Sequence, residues 1–215
     1  MTLSQIQLDR RSESSRNDGG ASRALTAIMR IFVLAITALS AAYMATDSFL
    51  LAQSYTGGEI NREYAIKAAY LYNFGHYIQW PTDSFADESS PFVIGILGED
   101  PFGDVLDEIA RDKKIGGRRI VIRRFANLAD YKPCHILFVA SSAGVTNELP
   151  AIQKEQDYPV LLVGESPDFA KQGGAINFFI EANRVRFEVN TEVAKREQLK
   201  ISSKLLRIAK IISSP

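Results

Sequence analysis

The chain has 215 residues, 46% of them hydrophobic, which suits one folded domain plus extras. Its 25 basic and 25 acidic residues cancel, and residues 53–215 alone carry 20 and 21. Net charge therefore offers no electrostatic footprint for nucleic acid or an anionic membrane. Cys134 is the one cysteine, which excludes an intramolecular disulfide, and a domain of this size can bury enough apolar surface without one.

Residues 1–28 are polar, lack an apolar period and read as a disordered leader. Residues 29–52 begin Met29-Arg30, continue through an apolar run from Ile31 to Ala45 and offer small residues, the form of a secretory signal. Asp47 ends a run of about 15 residues, short of the roughly 20 that a span requires. Cleavage after Ala42 or Ala52 fits, Met29 is a candidate start, and an uncleaved signal anchor is the alternative. In each case the domain, residues 61–213, is expected outside the cytoplasmic membrane.

The spacing predicts a helix from Asn61 or Glu63 to about Gln79, with Tyr70, Phe74 and Tyr77 on one face. Trp80-Pro81 ends it. Phe92–Leu97 is a continuously apolar strand. Asp100 is read as an N-cap with Pro101 at the first helical position of the next helix. Ile120–Ile122 is a second strand, a short turn of helix follows near Asn127–Tyr131, and His135–Val139 is a third strand. A helix over Thr146–Gln153 precedes a fourth strand, Pro159–Val163. Ala175–Ile180 and Val185–Val189 form a hairpin around Ala182-Asn183, with Arg184, Arg186 and Glu188 on a polar face. Asn190 caps a short helix, and Ser202 caps a last helix, Ser203–Ile211, with Leu205, Leu206, Ile208 and Ala209 as its apolar stripe. The order predicts an α/β fold: a single three-layer domain whose central sheet is mostly parallel, with a C-terminal antiparallel hairpin and flanking helices.

Gly98-Glu-Asp-Pro-Phe-Gly103 stands where a helix start could hold phosphate, but it lacks the P-loop lysine and the dinucleotide spacing, so it reads as a capped turn. His76 and His135 are far apart, no cluster has metal spacing, and His135 reads as structural. No cofactor or metal is expected. Gly164-Glu-Ser166 lacks the second glycine of a nucleophile elbow, although it sits where open α/β sheets bind ligands. Gly173-Gly174 is a turn that a ligand or partner could approach. Asn177, Arg186, Glu188 and Asn190 suggest a polar network fixing the hairpin against Asn73 or Trp80, with an Arg186–Glu188 surface pair as the plainer reading. Trp80, Tyr72 and Tyr77 either pack in the core or line a partner groove.

Several motifs in order resemble the YfiR/HmsC-like family. They are Ala68-Ala-Tyr-Leu-Tyr-Asn73-Phe with Trp80-Pro81, Gly98–Gly103, Cys134-His-Ile-Leu-Phe138, Phe169-Ala-Lys-Gln-Gly173-Gly174, Arg186-Phe-Glu-Val-Asn190 and Leu199–Leu206. The resemblance implies a periplasmic α/β regulator, often a homodimer and not an enzyme. It implies repression of an inner-membrane diguanylate cyclase through that enzyme's periplasmic domain, with release raising cyclic di-GMP and favouring biofilm. A sensor histidine kinase is the alternative partner, with a small-molecule ligand in the crevice at the strand C-termini. The best-known members carry disulfides; Cys134 is the one cysteine of this chain, so control through an internal disulfide is not expected. The resemblance supplies no catalytic residue. The candidate partner- or ligand-binding positions are Tyr72, Asn73, Tyr77, Trp80, Gly173, Gly174, Asn177, Arg186, Glu188 and Asn190.

Overall fold

A broad apolar stripe on the first helix organises one side of the molecule. The computed structural model describes residues 62–144, 148–154 and 157–213, so the expected leader, the signal and the start of the Thr146–Gln153 helix lie outside it. The first helix, α1, covers residues 62–77 and buries Ala68, Leu71 and Phe74 completely. It ends two residues before the expected point, because Ile78–Gln79 leave it as a short strand, β1. β2 (Phe92–Leu97) is buried along its whole length. α2 (Val105–Asp112), β3 (Lys114–Ile115) and β4 (Arg118–Phe125) follow. β5 (Ile136–Val139), α3 (Leu149–Lys154) and β6 (Leu161–Gly164) complete the inner strands. The C-terminal part is β7 (Ile176–Glu181), β8 (Arg184–Asn190), α4 (Thr191–Arg196), β9 (Lys200–Ile201), α5 (Ser203–Leu206) and β10 (Lys210–Ile212).

Eight strands form one sheet in the order β10-β8-β7-β6-β5-β2-β4-β3, while β1 and β9 pair separately. β4, β2, β5, β6 and β7 run parallel; β8 is antiparallel to β7, and β10 returns parallel to β8. Strand alternation sorts the apolar side chains onto two faces. Phe92, Ile94, Ile96, Ile136, Phe138, Phe178 and Phe187 meet α1, α2 and α4 on one face. Val93, Leu97, Leu137, Leu162 and Phe169 meet α3 on the other. The result is the expected three-layer α/β domain. The hairpin also forms as read: Ala182 and Asn183 take φ of 49° and 58°, the paired left-handed turn that suits the twist of the flanking strands. β7 pairs with β6 only at Ile176 and Asn177, so the rest of the hairpin projects past the end of β6.

Three local expectations are corrected. Asp100 does not begin the helix: its Oδ1 accepts from the Phe102 N–H at 2.8 Å, and α2 starts only at Val105. The last helix stops at Leu206, and Lys210–Ile212 pair with β8 instead. The carbonyls and N–H groups of β8 offered this segment a ladder that its own helical pattern could not outweigh, and Ile208 and Ile211 are left 56% exposed. Ile120–Ile122 is the middle of a longer strand, Arg118–Phe125. The other two caps are as expected. Asn190 accepts from the N–H groups of Glu192 and Val193, and Ser202 from that of Leu205.

His135 locks the lower end of the sheet. Its Nδ1 accepts from the Val93 N–H at 3.0 Å, which leaves the proton on Nε2, 3.2 Å from the Ser84 carbonyl oxygen. The ring stacks with Phe85, Phe92 and Tyr158 at 4.5, 4.8 and 5.0 Å. Burial pushes its pKa down to about 4. Between about 6.5 and that value the unfolded chain binds a proton that the fold refuses, so stability is held above the window and lost as pH falls through it. An NMR titration from about pH 7.5 to about pH 5 is expected to leave the His135 imidazole neutral. An ordinary titration curve near 6.5 would contradict this packing.

Candidate functional site

At the C-terminal ends of β5 and β6, α1 lays a lysine against the sheet. Lys67 is 3% exposed, yet its apolar neighbours Tyr64, Leu71 and Phe74 share its helix face. Its Nζ donates to Glu165 Oε2 at 2.6 Å and pairs with Glu63 one helical turn earlier. Glu165, just past β6, also accepts from the Ser141 hydroxyl at 2.9 Å and the Tyr64 hydroxyl at 3.3 Å. Burial, followed by the charge of Glu165 and the hydrogen bond to it, pushes the Tyr64 hydroxyl up to about 12. A buried charge survives only where it is paired and hydrogen-bonded, and these groups satisfy one another. Beside them, Ser142 Oγ accepts from the Glu99 N–H at 2.9 Å, and the turn after β5 packs closely against Gly98. The strand ends expected to hold a ligand are thus occupied by the protein's own polar groups.

Two open clefts lie elsewhere. One, of about 470 Å³, is walled by Gly75, Ile78, Trp80, Phe85, Phe92 and Arg118, at the starts of β2 and β4. Trp80 is half-buried and meets Phe92 edge-on at 5.0 Å, and its indole Nε1 is buried without a hydrogen-bond partner among the described residues. The other, of about 590 Å³, lies between Gln153, Gly173, Val193 and Arg196.

The ten candidate positions divide between the two faces. Tyr72, half-buried, packs edge-on with His76 at 4.7 Å; Asn73 is half-buried; and Tyr77, at the helix end, is 39% exposed. With Ile66, 38% exposed, Tyr77 marks the outer side of α1. Asn177, Arg186, Glu188 and Asn190 point to the opposite face of the sheet, because Phe178, Phe187 and Val189 take the α1 side. The network expected between the hairpin and Asn73 or Trp80 is therefore not formed.

Asn177 Nδ2 instead approaches Glu188 Oε1 at 3.5 Å, and Lys210 Nζ lies 3.5 Å from Glu188 Oε2. Arg186 faces Glu181 at 3.9 Å rather than Glu188. Asn190 is fully buried and serves the fold, since besides capping α4 it donates to the Ala170 carbonyl at 2.9 Å. Gly173 has φ of 111°, and a side chain on Gly174 would collide with the Phe169 ring, so both glycines serve the turn itself.

Sequence reading passed over Lys67, Glu165, Tyr64 and Ser141. Lys67 carried a signal, because it falls in phase with Tyr64, Leu71, Phe74 and Ile78, where a core residue is due. Its partner 98 residues away carried none. Cys134 is fully buried, and burial pushes its thiol up to about 12, as suits an inert core residue. Among the described residues no group of three or more His, Cys, Asp or Glu could hold a metal ion.

The family model of the YfiR/HmsC-like proteins matches residues 64–210, and the chain belongs to that family. The family is one of regulators associated with the periplasm and cyclic di-GMP signalling. A search of curated proteins found no match. Among solved structures the chain is similar to the "ABC domain in complex with L-Trp" from Streptococcus pneumonia, at 10% identity and a TM-score of 0.41, over 56% of this chain and 55% of that one. It is also similar to a "conserved domain protein" from Vibrio cholerae, at 9% identity and a TM-score of 0.40, over 57% and 55%. The chain spans about half the length of these solved chains, 55% in each case.

Replacing Lys67 with Met leaves the buried Glu165 carboxylate without its cation and is expected to cost about 3–5 kcal/mol in urea unfolding. The double replacement Lys67→Met with Glu165→Gln is expected to recover part of that loss. Strictly additive losses would show that the two groups are not coupled.

Proposed function

We propose that this protein is an exported regulatory binding protein that represses a membrane-bound diguanylate cyclase by holding one state of that enzyme's periplasmic domain. A ligand shifts such an equilibrium only by binding one state better than the other, and a docked protein domain acts in the same way. The observation that carries the reading is the family match over residues 64–210, which takes in nearly all of the described domain. The signal-like pattern at residues 29–52 supports export.

The outer side of α1 is the contact surface in this reading. Ile66 and Tyr77 stand 38% and 39% exposed there, while the opposite side is held down by Lys67, Leu71 and Phe74. A ridge anchored in this way can dock with little ordering cost. A homodimer, as the family suggests, belongs to the same reading. A second reading, a ligand sensor serving a membrane kinase, draws on the cleft beside Trp80, whose volume falls in the range of small-molecule sites.

Co-purification of the full chain from native membranes separates the two. A diguanylate cyclase is expected to come with the wild-type protein and to be lost with Ile66→Glu/Tyr77→Glu. A sensor histidine kinase in its place would select the second reading. Recovery of neither would overturn both.

A further inference from the structure

The neutral net charge read from the sequence averages over a strongly basic edge. Residues 111–124 hold seven Lys and Arg, Arg111 included, against one acid, Asp112. The alternation of β4 divides its arginines into two sets with different fates. Arg118 and Arg124 share the side of Ile120 and Ile122, which pack towards α1 and α2. Both are used by the fold. Arg118 Nη1 donates to the carbonyls of Asp87, Glu88 and Ser90 at 2.6, 3.1 and 2.9 Å. Arg124 pairs with Asp100 at 2.7 Å and Asp107 at 2.6 Å.

Arg119 and Arg123 point to the other side, with Val121 between them. Lys114 is the direct cross-strand partner of Arg119, so its side chain joins theirs. All three cations are exposed or partly so, and none has a carboxylate partner among the described residues. Arg123 gives one N–H to the Pro133 carbonyl at 3.0 Å. Like charges placed directly opposite each other destabilise a strand pair. Charges at a sheet edge can also serve merely to prevent edge-to-edge pairing. The stripe does not line the edge, however; it faces out of the sheet plane.

We propose that this face of the β3–β4 edge docks on the anionic phospholipid headgroups of a membrane. Four residues of strand separate Arg119 from Arg123, roughly 13 Å, so the charges match a plane of headgroups better than a single phosphate. Phe125, the aromatic residue on this side of β4, is buried, so the strand offers no ring on which a nucleobase could stack. The inference rests on the reading of an exported protein with a membrane partner and would hold the domain close to that partner.

The test is sedimentation of the full chain with vesicles of phosphatidylcholine, with and without about 30% phosphatidylglycerol. The ratio of the two affinities is the readout, which cancels any binding by the apolar segment at residues 31–45. Each basic residue near an anionic surface is worth about a fivefold change in binding, so Lys114→Gln/Arg119→Gln is expected to lower that ratio about twenty-five-fold. High salt is expected to do the same to the wild type. A charge-matched control, Lys195→Gln/Lys204→Gln, also exposed, is expected to keep the ratio. The proposal is overturned if the wild type shows no preference for anionic vesicles. It is equally overturned if the control falls as far as the stripe variant, or if millimolar inorganic phosphate releases the protein, which would mark a free-anion site. Because no partner is present, failure here leaves co-purification with a cyclase untouched, and failure of that experiment leaves the vesicle preference untouched.

Discussion

Lys67 holds α1 onto the sheet through a buried ion pair, and the arrangement of the rest follows from it. The ammonium sits between Glu63 and Glu165, with Ser141 and Tyr64 filling the remaining acceptor positions of Glu165. One contact thereby ties the helix, the end of β5 and the end of β6 together. Further along the helix, Tyr70 and Phe74 pack on Phe178 and Phe187 at centroid distances of 5.2–6.0 Å. The helix thus also carries the hairpin that projects past β6. At its far end Ile78 and Gln79 pair with β9, and the Ser202 N–H donates to the Tyr77 carbonyl at 2.9 Å. A helix fixed at both ends and along its inner face leaves one surface to present, the side bearing Ile66 and Tyr77.

The same sorting by alternation explains what the polar residues do. On β8, the side chains facing α1 are Val185, Phe187 and Val189, while Arg186, Glu188 and Asn190 face away. On β4, Arg118 and Arg124 secure a loop and a helix, and Arg119 and Arg123 are left outward. Groups that could have done chemistry are mostly engaged in the fold. His135 is neutral in an aromatic box, Cys134 is a buried thiol and Glu165 is neutralised by Lys67. The surfaces, more than any interior polar cluster, are what this domain has to offer a partner.

Much of the fold was legible because it rests on local patterns. Phe92–Leu97 and Ile136–Val139 are unbroken apolar runs, Ala182-Asn183 joins two alternating strands, and Asn190 and Ser202 stand one residue before helices. The C-terminal segment misled because Ile208–Ile211 is apolar in either geometry, and only the open side of β8 decides for a strand. Asp100 misled because its carboxylate is taken by Arg124 and by a turn at Phe102. The candidate site was less legible. The motif residues were visible, but whether Asn177 and Asn73 lie on the same side of a sheet depends on register and layer order, which a single sequence does not state. Lys67 and Glu165 are linked only by the folded topology. The basic edge was hidden by adding charges over the whole chain instead of over each side of a strand.

The most direct test of the regulatory account is the cyclic di-GMP content of cells lacking this protein, complemented with wild type or with Ile66→Glu/Tyr77→Glu. The account requires cyclic di-GMP to rise on deletion, to return to its starting level with the wild-type chain and to stay high with the α1 variant, provided both accumulate equally. An unchanged level on deletion, or full restoration by the variant, would contradict repression through the exposed face of α1.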